Sequence, residues 1–215
     1  MDKYVLIVAG GKGLRMGGDL PKQFIPMRGK PLLMHTLEAF HRWDASARII
    51  LVLPEDHQPY WNMLCKEIGC KVPHAIVKGG DTRFFSVKNG LDWLLAERRR
   101  KGEEDSGLSL VAVHDGVRPF VSPEVVEACF DKAAVTGAVI PVVPMIDSLR
   151  ETDEKGSHPV DRSRYMAVQT PQVFHLELLT KAYEQPYSSL FTDDASVVEA
   201  MGHAIDTCLL YTSPS

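Results

Sequence analysis

Glycines and cations crowd the loop that follows the first apolar run of this chain. Tyr4-Val5-Leu6-Ile7-Val8 empties into Ala9-Gly10-Gly11-Lys12-Gly13-Leu14-Arg15-Met16, and Pro21-Lys22-Gln23 comes soon after. Small residues let backbone N–H groups approach an anion, while Lys12, Arg15 and Lys22 add fixed positive charge. The chemistry on offer is therefore the binding of a polyphosphate. Two familiar phosphate loops are excluded. The P-loop needs a Gly-Lys-Ser/Thr triplet, and none occurs. The dinucleotide fingerprint needs a third glycine where Met16 stands, and Gly17 comes one residue late. A glycine-rich turn also serves as a plain tight connection, so the loop alone defines no site.

A second cluster is Val113-His114-Asp115-Gly116-Val117-Arg118-Pro119. A carboxylate at the end of a buried strand can hold Mg²⁺, which takes one or two protein carboxylates together with phosphate oxygens and water. Arg118 can grip a phosphate with its planar fork, although the plainer arrangement is an Asp115 turn paired with Arg118. In Gly79-Gly80-Asp81-Thr82-Arg83 the glycines permit close backbone approach and Asp81 can accept from ribose hydroxyls. Ser86 can reach a base edge from the first turn of a helix, while an ordinary N-cap at Asp81 accounts for the same pattern. Asp161-Arg162 and Thr170-Pro171-Gln172 form a weaker fourth group, since Pro171 also serves to end a strand. The histidines are scattered, and Cys65, Cys70, Cys129 and Cys208 lack Cys-x-x-Cys or zinc spacing.

The elements that must position these groups alternate. Strands are predicted at Tyr4–Val8, Arg48–Leu53, Val72–Val77, Leu110–His114 and Ala138–Val143. Helices are predicted near Pro31–Trp43, Gln58–Ile68, Phe84–Arg98 and Pro123–Val135. Leu33, Leu37 and Phe40 repeat at a helical period, and Ser122 before Pro123 reads as a cap with proline at the first helical position. This order predicts an α/β fold with a mostly parallel, Rossmann-like sheet and helices on both faces. Ligands of such sheets bind beyond the carboxyl ends of the strands, where the first loop, Asp115 and Asp147 could meet. Asp147 to Val160 is polar, with turn chemistry at Asp153-Glu154-Lys155-Gly156, and predicts a protruding β-hairpin arm. A helix near Leu176–Tyr183 and another opened by Thr192-Asp193-Asp194 and closed by Gly202 complete the pattern.

Composition sets bounds. The 215 residues carry a net charge of −4, so no overall cationic field draws the chain to nucleic acid. Arg98-Arg99-Arg100-Lys101 reads as a solvated helix end, where cations suit the dipole. No segment has the apolar length of a membrane span, and the N-terminus lacks the apolar core of a signal peptide. The expectation is a reduced, cytoplasmic protein without membrane contact.

Together the motifs resemble those of the 2-C-methyl-D-erythritol 4-phosphate cytidylyltransferases of the non-mevalonate isoprenoid pathway. The matching stretches are the first loop, Pro21-Lys22-Gln23, Gly79 to Arg83, His114 to Pro119, Asp161-Arg162 and Thr170-Pro171-Gln172, in the family's order and approximate spacing. The resemblance implies a nucleotidyltransferase of GT-A-like architecture. It implies transfer of CMP from CTP to a polyol phosphate, with release of pyrophosphate and with Mg²⁺ as cofactor. By position, Arg15 and Lys22 would stabilise charge on the α-phosphoryl group and the leaving pyrophosphate, and Asp115 would hold Mg²⁺. Ala9, Gly10, Gly11, Gly13, Gly80, Asp81, Ser86 and Gly116 would complete the CTP site with Arg15 and Lys22. Arg118, Ser148, Arg162 and Thr170 would form the acceptor site. Ser148 stands where a threonine is expected and keeps the hydroxyl. The family's arm reaches across a homodimer, so Arg162 would serve the neighbouring site. Ribitol 5-phosphate is the rival acceptor. A catalytically idle nucleotide-binding or regulatory domain is the rival of another class, and a ligand-free structural module is a third.

The resemblance fades after Gly202-His203. The family's last segment carries a lysine in an Ile-Lys-Ile/Val-Thr strand and then a helix, whereas Cys208 to Ser215 matches neither. The expected organisation is one domain over 1–207, with the arm at about 145–168. Residues 208–215 are expected to be an unrelated tail, with a final sheet strand and its covering helix missing.

Overall fold

The computed structural model describes residues 1–10, 20–103, 107–154 and 156–210. Strand β1 (Asp2–Val8) is its centre, with Tyr4 to Ile7 shielded from solvent. Val5 and Ile7 enter one apolar cluster, while Tyr4 and Leu6 enter another on the opposite face. Burial on both faces is why the run is apolar throughout instead of alternating.

After β1 the described chain resumes with a single helical turn at Lys22–Phe24 and a two-residue hairpin, β2 (Pro26–Met27) with β3 (Lys30–Pro31). Then α1 (Leu32–Trp43) buries Leu33, Leu37 and Phe40, as their spacing predicts. The alternation continues through β4 (Arg48–Leu53), α2 (Gln58–Ile68), β5 (His74–Lys78), α3 (Arg83–Lys101), β6 (Ser109–Asp115), α4 (Pro123–Thr136) and β7 (Ala138–Pro144). Ser122 caps α4, its hydroxyl accepting from Val125 N–H, with Pro123 at the first helical position.

Two local expectations are corrected. Thr82, not Asp81, caps α3 by accepting from Phe85 N–H, which leaves the Asp81 carboxylate free of the capping role. The basic run at the end of α3 is not wholly solvated either. Arg98 is 6% exposed and donates to the Tyr4 hydroxyl at 2.7 Å and to Ser109 Oγ at 2.8 Å, because Tyr4 and Ser109 need a polar partner beneath the sheet.

Beyond β7 the chain leaves the sheet. β8 (Arg150–Asp153) and β9 (Gly156–Pro159) pair antiparallel, exposed on both faces, and form the predicted arm. β10 (Met166–Val168) and β11 (Gln172–His175) return antiparallel along one edge of β7, two pieces of one strand interrupted at 169–171. They are followed by α5 (Leu176–Ala182), α6 (Asp194–Glu199) and β12 (Asp206–Leu209). The sheet runs β5-β4-β1-β6-β11-β7, with β12 parallel to β7 on its outer edge. Only the β10–β11 strand runs against the rest.

The expected loss of the final strand is thus corrected. Asp206 to Leu209 pairs with Val139 to Val142, and Cys208 packs on the core. Its four residues have too little apolar patterning to announce a strand; the open edge of β7 supplies the order. β12 also crosses the boundary expected at 207/208. No helix among the described residues is long and apolar enough to cross a membrane.

Candidate active site at the carboxyl edge of the sheet

The register of the sheet aligns the ends of four strands. Val8 lies opposite Asp115 on one side and Val52 on the other, and Leu53 lies opposite Lys78. The turns that follow are stitched to the same edge. Ala9 N–H donates to Val52 O at 3.0 Å, Gly79 N–H to Leu53 O at 3.0 Å, and Gly116 N–H to Val8 O at 2.9 Å. Three glycine-bearing turns therefore converge, and a cleft of about 320 Å³ opens between them. Ala9, Gly10, Lys22, Gly80, Asp81, Ser86 and Asp115 line it, seven of the positions singled out by sequence.

Steric crowding explains two of the glycines. A Cβ at Gly116 would lie 2.8 Å from Ala9 Cβ and 3.0 Å from Leu33 Cδ1. One at Gly80 would lie 2.5 Å from Phe85 Cβ. Ser86, buried, accepts from Gly80 N–H at 3.0 Å and donates to Thr82 O at 2.9 Å, so its hydroxyl shapes the Gly80 turn from within the cleft wall.

Lys22 reaches the cleft from a braced turn. The neighbouring Gln23 is buried and its amide bonds His57 Nδ1 at 3.1 Å, while Phe24 meets His57 and Tyr60 edge-on. Gly11, Gly13 and Arg15, with Lys12, lie outside the described residues.

Asp115 is flanked by arginines. Arg118 Nε donates to its Oδ2 at 2.9 Å, and Arg83 Nε stands 3.9 Å from Oδ1. Arg118 also donates to Gln169 Oε1 at 2.9 Å, and Asp115 N–H makes a long contact of 3.5 Å with Thr170 Oγ1. Asp115 therefore lines the cleft and ties Arg118 and Thr170 to it, although neither of those two, nor Gly116, is itself part of the lining. His114, fully buried behind it, donates from Nε2 to Arg118 O at 2.9 Å and packs edge-on against Phe40. Burial holds its imidazole down to about 4, well below the usual value.

Two acceptor candidates, Ser148 and Arg162, and Asp147, expected at the same edge, are elsewhere in this chain. Asp147 and Ser148 are exposed between β7 and the arm, and Arg162 is exposed at a short turn beyond it, bonded to Ile146 O. None of the three lines the cleft.

Sequence reasoning underrated Arg83 and missed Asp194. Arg83 lines the cleft and is gripped by both oxygens of Asp194, which also accepts from the Tyr183 hydroxyl at 2.6 Å. Burial and that carboxylate push the Tyr183 phenol well up. Gln172 fixes the start of α6: its amide donates to Asp193 Oδ2 at 2.9 Å and accepts from Ala195 N–H at 3.0 Å. The Asp193-Asp194 pair carried a readable helix-start signal; its tie to Arg83 spans 111 residues and left none.

A single carboxylate between two arginines makes no cage, and no cluster of three or more metal-ligating side chains gathers among the described residues. The donor set suits a Mg²⁺ that draws most of its ligands from phosphate and water. A larger cavity, about 700 Å³, lies between α3 and α5 near Ser109 and His175. It is lined by none of the glycine-bearing turns.

The sheet order and the cleft at its carboxyl edge are those of a ligand-binding α/β fold, and likeness to known proteins makes the chain a nucleotidyltransferase. The sequence profile of the 2-C-methyl-D-erythritol 4-phosphate cytidylyltransferases matches residues 4–208, and the chain belongs to that family. A relative so named from Bacteroides fragilis is 55% identical over 202 residues, covering 94% of this chain and 87% of its own. The crystal structure of the Thermus thermophilus enzyme of that name superposes with a TM-score of 0.70 at 30% identity, covering 99% of this chain and 90% of that one. The Anaerococcus prevotii 4-diphosphocytidyl-2C-methyl-D-erythritol synthase superposes at 0.76 with 25% identity, covering 100% and 89%.

Proposed function

We propose that this chain transfers CMP from CTP to 2-C-methyl-D-erythritol 4-phosphate, releasing pyrophosphate, as a step of the non-mevalonate route to isoprenoid precursors. The observation that carries the reading is the convergence of the Ala9, Gly80 and Gly116 turns on one cleft that Lys22 and Asp115 also face. In-line phosphoryl transfer asks a protein mainly for alignment and charge neutralisation.

The turns at Ala9–Gly10, Gly80 and Gly116 present backbone to the nucleotide, Gly11 and Gly13 complete its site, Asp81 accepts from the ribose and Ser86 sets the base pocket. Backbone amides and carbonyls of these turns would read the edge of cytosine. Lys22 and Arg15 hold the triphosphate and stabilise the charge that grows on the α-phosphoryl oxygens and pyrophosphate. Asp115 would hold Mg²⁺, which when bound neutralises phosphate charge. Arg118 and Thr170 hold the acceptor phosphate beside Asp115.

Ser148 and Arg162 join the acceptor site in a homodimer built through the arm. Exposed Ile146, Tyr165 and Met166 at the base of the arm supply apolar surface for that contact, and Arg162 then serves the neighbouring copy's cleft. A cytoplasmic location fits the four free cysteines.

The test mixes the purified chain with CTP and Mg²⁺, offering methylerythritol phosphate and ribitol 5-phosphate in separate reactions read by product mass. A CDP-methylerythritol product is expected, together with pyrophosphate. A CDP-ribitol product alone would overturn the acceptor; CTP binding without turnover on either would overturn catalysis.

A further inference from the structure

Two thiols meet at the carboxyl end of α2, away from the cleft. The helix stops at Ile68, and Gly69 takes a left-handed φ of +78°. Gly69 N–H and Cys70 N–H then both donate to Cys65 O, at 3.0 and 2.9 Å. A cap closed this way brings the side chain two residues beyond the helix onto one in its last turn, a contact usually made by two apolar groups. Here both positions are cysteine. The cap therefore sets the Cys65 and Cys70 side chains beside each other.

Both sulfurs belong to half-buried residues, whereas Cys129 is fully buried. The neighbouring Cys65 thiol holds the Cys70 thiol down to about 6, and Cys70 pushes Cys65 up. The pair thus places an attacking group at Cys70 next to a resolving group at Cys65. Their separation of five residues falls outside the Cys-x-x-Cys spacing, and only the left-handed Gly69 turn brings them together.

We propose that Cys65 and Cys70 form a hydroperoxide-sensitive dithiol that closes to an intramolecular disulfide. The Cys70 sulfur attacks a peroxide oxygen, the O–O bond breaks, and the leaving hydroxide takes a proton from solvent. The Cys65 sulfur then attacks the resulting sulfenic sulfur of Cys70. The S–O bond breaks and a second water leaves with the Cys65 proton. One hydrogen peroxide is reduced to two waters and two thiols are oxidised to one disulfide. A thiol reductant reverses the change by exchange.

The experiment treats the full chain with hydrogen peroxide, blocks remaining thiols with N-ethylmaleimide and digests with trypsin. Cleavage after Lys66 separates the two cysteines, so the bond joins two peptides with the loss of two hydrogens. That linked pair is expected several-fold faster than label is lost from Cys129 or Cys208, and dithiothreitol should erase it. In Cys65→Ser, oxidation should stop at a sulfenic acid on Cys70 that dimedone traps; in Cys70→Ser, Cys65 should keep its label. Retention of label on both cysteines while Cys129 or Cys208 oxidises would overturn the proposal. So would oxidation of either alone in the wild-type chain, or a bond from Cys70 to a second molecule.

Discussion

Asp194, with no solvent exposure, holds the Arg83 guanidinium by both of its oxygens, at 2.9 and 2.6 Å. The pair joins α6 to the first turn of α3 and directs Arg83 Nε toward Asp115. A buried carboxylate costs several kcal/mol to desolvate and is tolerated here because an arginine fork and a phenol satisfy it. Asp194→Asn removes the arginine's close counter-charge and leaves it only the Asp115 carboxylate, 3.9 Å away. We expect a loss of about 3 kcal/mol, tempered from the fully buried case by the partial exposure of Arg83. Urea midpoints should move accordingly, with a rise in the KM for CTP; a shift below about 1 kcal/mol would remove the pair as a structural tie.

Lys22 stands on a turn fixed by Gln23 and Phe24, so its truncation should leave the fold intact. Lys22→Ala is expected to lower kcat by about 10² to 10³, the range for losing one preorganised charge-stabilising donor, and to weaken CTP binding far less. Comparable loss of CTP affinity with turnover unchanged contradicts a transition-state role.

Gly116 has no room for a side chain. The Ala variant forces a methyl against Ala9 and Leu33. The expected destabilisation is about 1–3 kcal/mol, the usual cost of overpacking, read from thermal midpoints. An unchanged midpoint would mean that the Ala9 and Gly116 turns separate readily.

His114 is held neutral by burial, its pKa near 4 against 6.5 when unfolded. Below pH 6.5 the unfolded chain takes up a proton that the folded chain refuses. Its contribution is thus complete above about pH 6.5 and fades as pH falls toward 4, by about 3 kcal/mol in all. Denaturation between pH 7 and 4 should show that slope, and His114→Gln should flatten it. Equal slopes in both proteins would assign the acid sensitivity to other groups.

The sheet was legible because its central strands are apolar on both faces and its helices carry a plain period. The Gly80 and Gly116 turns were legible as site elements because they follow strands whose register brings their ends together. Arg83 and Asp194 were not, since an ion pair across 111 residues has no local pattern. Thr82 took the cap from Asp81 because the helix begins one residue later than the strongest capping residue suggested. β12 was missed for want of alternation in Asp206-Thr207-Cys208-Leu209; its place is dictated by a partner strand.

Strand β1 has one neighbour, β4, within the first 53 residues, but its other neighbour, β6, ends only at Asp115. During translation this central strand, buried on both faces in the finished fold, therefore waits with one edge unpaired while the ribosome completes the interval from Leu53 to Asp115. At about 5–20 residues per second that interval lasts several seconds. For those seconds the nascent chain exposes an aggregation-prone edge, and co-translational chaperone capture should peak before residue 115 emerges and fall once β6 docks.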